Sequence, residues 1–186
     1  MRVIAGEAKG RPLKCPPGRQ VRPTPDMVRE SLFAILGERV LGCRFLDLYA
    51  GTGAVGIEAA SRGAARVTFV EKTPSIVEYL QRNLSGTGME ERARVLRADA
   101  ERACHRLART GERFDIVFLG PPYSLLTERA VAAAAKVLAP DGVLVVQHPS
   151  RRQAPVPAGL QLLSARRYGD NTISFLTSSA GGRADA

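Results

Sequence analysis

Residues 47–56 read Asp47-Leu48-Tyr49-Ala50-Gly51-Thr52-Gly53-Ala54-Val55-Gly56, and Glu71 stands at the end of the next apolar run. Glycines at 51, 53 and 56 let the backbone approach a ligand closely, and a helix opening there offers unpaired N–H groups at its N-terminus. The Gly-x-Gly-x-x-Gly spacing, with an acid about 20 residues beyond the first glycine, also fits a dinucleotide whose ribose hydroxyls bond that acid. Asp47 divides the possibilities. A carboxylate four residues before the first glycine opposes a pyrophosphate and suits a cationic ligand.

The phrase Asp-x-x-Ala-Gly-Thr-Gly-x-x-Gly, together with Glu71, resembles the first two motifs of class I methyltransferases. Their cofactor, S-adenosylmethionine, carries an amino-acid ammonium and a sulfonium and has no phosphate. The resemblance implies a cofactor site formed by Asp47, Tyr49, Ala50, Gly51, Thr52, Gly53, Gly56, Glu71 and Lys72. Asp99, followed by Ala100, occupies the place where such enzymes contact the adenine amine. An N-cap of the following helix is an equal reading of Asp99.

A second constellation is Gly120-Pro121-Pro122-Tyr123. It resembles the [Asp/Asn]-Pro-Pro-[Tyr/Phe] turn of enzymes that methylate exocyclic amines of bases. Such an amine has its lone pair delocalised into the ring and is a poor nucleophile. A side-chain oxygen and a backbone carbonyl that accept its two hydrogens hold it in a more reactive state. Prolines rigidify that carbonyl, and the aromatic ring stacks on the base; covering a sheet edge is the bland alternative for Tyr123. Gly120 departs from the pattern, because the polar acceptor expected there is missing. Loss of such a group commonly lowers the rate about a hundredfold or more. A folded, cofactor-competent protein of weak or absent activity is therefore expected.

The elements that must position these residues are legible from apolar periodicity. Short β-type runs at 45–48, 67–70, 94–97, 115–119 and 142–146 alternate with helical patterns at 55–62, 73–84, 100–109 and 127–138. Thr73-Pro74 supplies an N-cap and a first-turn proline. Asp26 is an N-cap candidate for a helix to about Arg39. Two further β segments, 160–168 and 172–177, lack a helix between them and are expected to pair antiparallel. This alternation predicts an α/β fold of seven strands, mostly parallel with the last antiparallel, covered on both faces. Arg2–Ala5 and Arg11–Cys15, bracketing Gly6 and Gly10, predict a basic hairpin, and residues 16–25 an extended connector. The expected organisation is an N-terminal hairpin and connector over 1–25, a methyltransferase domain over 26–177, and a disordered tail over 178–186.

The chain has 186 residues and a formal charge of +9, and residues 1–25 hold six basic groups against one acid. That asymmetry suggests a polyanionic partner. The 45% hydrophobic and 24% charged composition argues against a disordered chain. No apolar run approaches the roughly 18–20 residues of a membrane span, and the N-terminus lacks a secretory apolar stretch. A cytoplasmic protein is expected. Cys15, Cys43 and Cys104 are widely spaced and are read as reduced thiols. His105 and His148 have no Cys or His partner at ligand spacing, so no metal site is expected.

The whole chain then resembles one family. Arg2-Val-Ile-Ala-Gly6, Lys9-Gly10-Arg11-Pro12-Leu13, Arg22-Pro23-Thr24-Pro25-Asp26-x-Val28-Arg29-Glu30, residues 47–56, the Pro-Pro-Tyr turn and Tyr168-Gly169-Asp170-Asn171-Thr172-x-Ser174-Phe175 are similar to the signature of the RsmD family. Its members are bacterial enzymes that methylate N2 of a guanine in 16S ribosomal RNA of the small subunit, using S-adenosylmethionine. The resemblance implies that Pro121, Pro122 and Tyr123 hold the base. It implies that Arg22 and Thr24 line the substrate entrance, although Arg22 could instead pair with an acid on the next helix. Arg2, Lys9, Arg11 and Lys14 are candidate phosphate contacts; a charged, solvated edge strand is the alternative for them. The expected partner is 16S rRNA within the small subunit or an assembly intermediate, and the protein is expected to be monomeric. Other readings are a methyltransferase for another base such as DNA adenine, a catalytically weak RNA-binding homologue, and a nucleotide-dependent oxidoreductase. The last is opposed by Asp47 and the Pro-Pro-Tyr turn.

Overall fold

The computed structural model describes residues 1–17 and 24–179. The chain divides after Ala100 into two compact units, and its seven strands belong to one mixed sheet.

In the first unit, α1 (Asp26–Leu36) and a short 3-10 turn lead into β1 (Arg44–Leu48), α2 (Ala54–Ser61), β2 (Arg66–Glu71), α3 (Pro74–Thr87) and β3 (Ala93–Arg97). Strand β2 lies between β1 and β3, parallel to both. Phe45, Leu46, Val67 and Phe69 are fully buried, as expected of strands covered on both faces. The register sets Asp47 opposite Phe69 and Glu71 opposite Arg97, placing both acids at the C-terminal ends of neighbouring parallel strands. Ligands of open α/β sheets bind at that end.

The second unit contains α4 (Ala100–Arg109), β4 (Phe114–Leu119), α5 (Glu128–Ala135), β5 (Leu138–Pro149), β6 (Leu160–Tyr168) and β7 (Asn171–Ser178). Strand β4 pairs parallel with β5, while β7 runs antiparallel to both β5 and β6. The last strand is thus the reversed one, as the sequence predicts.

Several boundaries differ from the sequence reading for identifiable reasons. Asp26 is the first residue of α1 rather than its cap; Pro25 precedes the helix, and the Asp26 carboxylate pairs with Arg29. Helix α3 continues past Leu84 to Thr87 and stops at Gly88, whose φ of 73° closes the C-terminus as glycine does without a Cβ penalty. Helix α5 is shorter than its alanine run suggests because Leu138 instead pairs with Phe114 of β4.

The N-terminal segment is a chain reversal rather than a strand hairpin, with a single antiparallel bridge, Arg2 to Pro12. Gly6 and Gly10 carry φ of 83° and 84°, which makes the turn. It is docked rather than projecting. Ile4 and Ala5 donate backbone N–H bonds to Glu58 at 2.8 and 3.0 Å, and Ala8 donates to Ser61 Oγ at 3.0 Å. Val3, Ala8 and Leu13 are buried, while Arg2, Lys9, Arg11 and Lys14 stay exposed. A Cβ at Gly6 would lie 1.8 Å from Ser61 O, so only glycine permits this approach to α2. Residues 180–186, most of the tail, lie outside the described residues.

Candidate active site

The glycine loop joins β1 to α2. Gly51 and Gly53 have φ of 55° and 86°, and Tyr49 holds φ of 59° without being glycine, a left-handed conformation that costs energy in a side-chain-bearing residue. The loop is clamped from both sides. Ala50 N–H bonds Val70 O at 3.0 Å, and Gly53 N–H bonds Ala50 O at 2.8 Å. Asp47, buried at the end of β1, accepts from Gly56 N–H at 2.9 Å. Gly56 must be glycine for packing: an added Cβ would lie 2.3 Å from Phe69 Cε1 and 3.0 Å from Asp47 Oδ2.

Burial pushes the Asp47 carboxyl up to about 7, and nearby Glu71 adds to the rise while the Gly56 amide opposes it. Glu71 itself accepts from Gly51 N–H at 3.1 Å and from Thr73 N–H at 2.9 Å. A carboxylate has about four lone-pair positions, so Glu71 keeps acceptor capacity for hydroxyls while bracing the loop. These residues fit a cationic nucleoside cofactor: a buried carboxyl near neutrality is stabilised as its anion when a cation arrives. Lys72 is exposed just beyond β2, and Asp99 directly precedes α4, whose first residue is Ala100.

Asn83 of α3 braces the glycine loop, a contact that the sequence alone does not announce. It accepts from Lys14 N–H at 2.7 Å and donates Nδ2 to Lys14 O and to Thr52 O, both at 2.9 Å. It therefore ties the N-terminal segment to the glycine loop. Arg29 is a second such residue. Fully buried, it donates to Ala54 O at 3.3 Å and Arg2 O at 2.8 Å, and pairs with Asp26 at 2.8 Å and Glu58 at 3.5 Å. A polar residue interrupting the apolar face of α1 was the one available signal. Thr24 is buried immediately before α1; Arg22 lies outside the described residues.

In the second unit, β4 ends at Leu119 and the chain turns through Gly120, buried Pro121 and exposed Pro122 into a 3-10 turn at Tyr123–Leu125. Tyr123 donates its hydroxyl to Asn171 Oδ1 at 2.5 Å, and Gln147 Nε2 reaches the same oxygen at 3.2 Å. The turn is thereby fixed to the start of β7. At Gly120 an added Cβ would lie 2.7 Å from Phe118 Cε1, so a side chain here requires that ring to yield. His148 is buried and bonded to Ser174 Oγ at 2.8 Å, a core role. Among the described residues no group of His, Cys, Asp and Glu could hold a metal ion. Cys15, Cys43 and Cys104 form no disulfide, and no helix there is long and apolar enough to cross a membrane.

Comparison with known proteins agrees over nearly the full chain. A family model described as conserved hypothetical protein 95 matches residues 1–177. The chain is 38% identical over 173 residues to the putative rRNA methyltransferase YlbH of Bacillus subtilis, covering 91% of this chain and 94% of that protein. It is 34% identical over 190 residues to ribosomal RNA small subunit methyltransferase D of Escherichia coli, covering 100% of this chain and 94% of that protein. A solved hypothetical protein of Thermus thermophilus superposes with a TM-score of 0.83 at 35% identity, covering 95% of this chain and 99% of its own. The putative methyltransferase yhhF of Escherichia coli gives 0.82 at 33%, covering 97% and 98%. Fold and relatives together define a class I, Rossmann-like methyltransferase, a class whose cofactor is S-adenosylmethionine. Within that class, the chain belongs to the conserved hypothetical protein 95 family, the RsmD family.

Proposed function

We propose that this chain methylates the exocyclic N2 amine of a guanine in 16S ribosomal RNA, within the small subunit or its assembly intermediate, at a rate lowered by Gly120. The observation that carries the reading is the Pro121-Pro122-Tyr123 turn, its ring tethered through the hydroxyl to Asn171. Full-length similarity to a small-subunit rRNA methyltransferase supports the RNA class.

When bound, S-adenosylmethionine supplies an electrophilic methyl group to the base amine. Asp47 provides the negative charge for its cationic amino-acid end, Glu71 accepts from ribose hydroxyls, and Asp99 accepts from the adenine amine. The Tyr123 ring stacks on the guanine, and the Pro121 carbonyl accepts one hydrogen of the amine. With glycine at 120, no side chain accepts the other, so the amine is held less reactively. Lys9, Arg11 and Lys14 contact RNA phosphates.

The test is methyl transfer from labelled cofactor into small-subunit particles lacking the modification, comparing the native chain with Gly120→Asp. The substitution should raise the rate at saturating cofactor, and more fully when Phe118→Leu makes room for the new Cβ. No increase in either background removes the assigned role of position 120.

A further inference from the structure

The +9 charge has a second location that the linear sequence hides. Residues 101–146 are nearly balanced, with six basic and five acidic groups, whereas residues 147–172 carry four arginines and a single acid, Asp170. The structure gathers those arginines around one turn. Tyr168 and Asn171 close β6 on β7, and Gly169 O in that turn accepts from both Ser150 Oγ at 2.9 Å and Arg167 Nε at 3.1 Å. Ser150 N–H also donates to Asp170 O at 2.9 Å. The segment after β5, with Arg151 and Arg152, is thus bound to the turn that carries Arg166 and Arg167.

All four arginines are exposed, and among the described residues none pairs with a carboxylate. Arg166 and Arg167 each commit one N–H to a local carbonyl, Ala165 O at 3.1 Å and Gly169 O. A guanidinium has five N–H donors, so both keep donors for an anion, and the forked geometry suits phosphate. The same turn presents Asn171, which holds Tyr123. A cationic rim and the base-stacking ring therefore share one rigid support.

We propose that the β6–β7 turn, with Arg151, Arg152, Arg166 and Arg167, is a phosphate-binding surface for the RNA strand flanking the base stacked on Tyr123. The inference rests on the proposed RNA substrate. It gives the substrate a second contact, in the second unit, besides the N-terminal basic segment. Asn171 makes this contact a positioning device, since RNA seated on the turn bears on the support of the Tyr123 hydroxyl.

The experiment measures binding of protein-free small-subunit rRNA as a function of salt. Arg166→Ala/Arg167→Ala should weaken binding about tenfold and lower the slope of log affinity against log salt by roughly one to two, reflecting the lost phosphate contacts. Arg166→Lys/Arg167→Lys should restore most of the slope. Arg106→Ala/Arg109→Ala removes equal charge from exposed positions on α4 and should leave the slope nearly unchanged. Equal slopes for both alanine pairs would overturn the surface, because net charge alone would then explain binding. An unchanged rRNA slope with weakened binding to intact particles would also overturn it, pointing to a ribosomal protein instead. Methyl transfer is read separately with the native chain and Gly120→Asp: an altered slope with no guanine methylation by either leaves the surface standing and removes the guanine assignment.

Discussion

Gly56 donates its backbone N–H to Asp47 Oδ2 at 2.9 Å, so the first turn of α2 is anchored to the carboxyl that ends β1. The contact is close enough that no side chain fits at 56. One carboxyl thereby shapes the glycine loop and, in the proposed function, supplies the charge that meets the cofactor's cationic end.

That dual role makes stability and cofactor binding respond oppositely to pH. The Asp47 carboxyl is raised from 3.8 to about 7 in the folded protein. Between those values the unfolded chain has released the proton and the folded one keeps it, so stability falls as pH rises and levels off above about 7. The cost at high pH is on the order of a few kcal/mol. Asp47→Asn removes it, so the cofactor-free variant should melt higher than the native protein at pH 8 and nearly equally near pH 4. Its affinity for S-adenosylmethionine should fall tenfold or more, while native affinity rises from pH 6 to 8. Thermal melts and calorimetric titrations at these pH values check both, and a variant that binds normally at pH 8 would contradict the cation role.

Glu58 should be the most sensitive charge in the first unit. It is fully buried, receives Arg29 at 3.5 Å and Arg62 at 2.8 Å, and accepts the amides of Ile4 and Ala5. Glu58→Gln turns an N–H toward groups that need an acceptor, and breaking such a buried pair costs about 3–5 kcal/mol. The Tm should drop by roughly 10 °C. Glu78→Gln, which breaks an exposed pair to Arg82, should cost about 0.5 kcal/mol or less. Similar melting temperatures for the two variants would contradict the anchoring role of Glu58.

Tyr123 combines a ring and a tether that can be separated. Tyr123→Phe removes the bond to Asn171, and should cost about 0.5–1.5 kcal/mol of transition-state binding, or roughly two- to thirteenfold in kcat/KM. Tyr123→Ala also removes the stacking surface, worth about 1–3 kcal/mol more. Steady-state kinetics on small-subunit particles should therefore order the rates native, Phe, Ala. A Phe variant as impaired as Ala would mean that the hydroxyl, not the ring, carries the function.

The parts of the molecule legible in the sequence are those written in local pattern. Apolar runs flanked by helical periodicity located all seven strands; Asp47 and the glycines stood out by spacing, and the Pro-Pro-Tyr turn by its resemblance to a known motif. What was hidden depends on partners far along the chain. Glu58 looks like an ordinary helix acid until Ile4 and Ala5 arrive, 54 and 53 residues away. Asn83 links Lys14, 69 residues away, to Thr52, 31 residues away. Because the N-terminus is docked, deleting residues 1–15 would strip partners from Glu58, Ser61 and Asn83, so RNA contacts there are better probed by Lys9→Glu and Arg11→Glu.

Nucleoside analysis of small-subunit particles after incubation with labelled S-adenosylmethionine tests the central claim most directly. Particles lacking the native modification should acquire label as N2-methylguanosine, slowly with the native chain and faster with Gly120→Asp. Label in any other nucleoside, or none with either protein despite demonstrated cofactor binding, would contradict it.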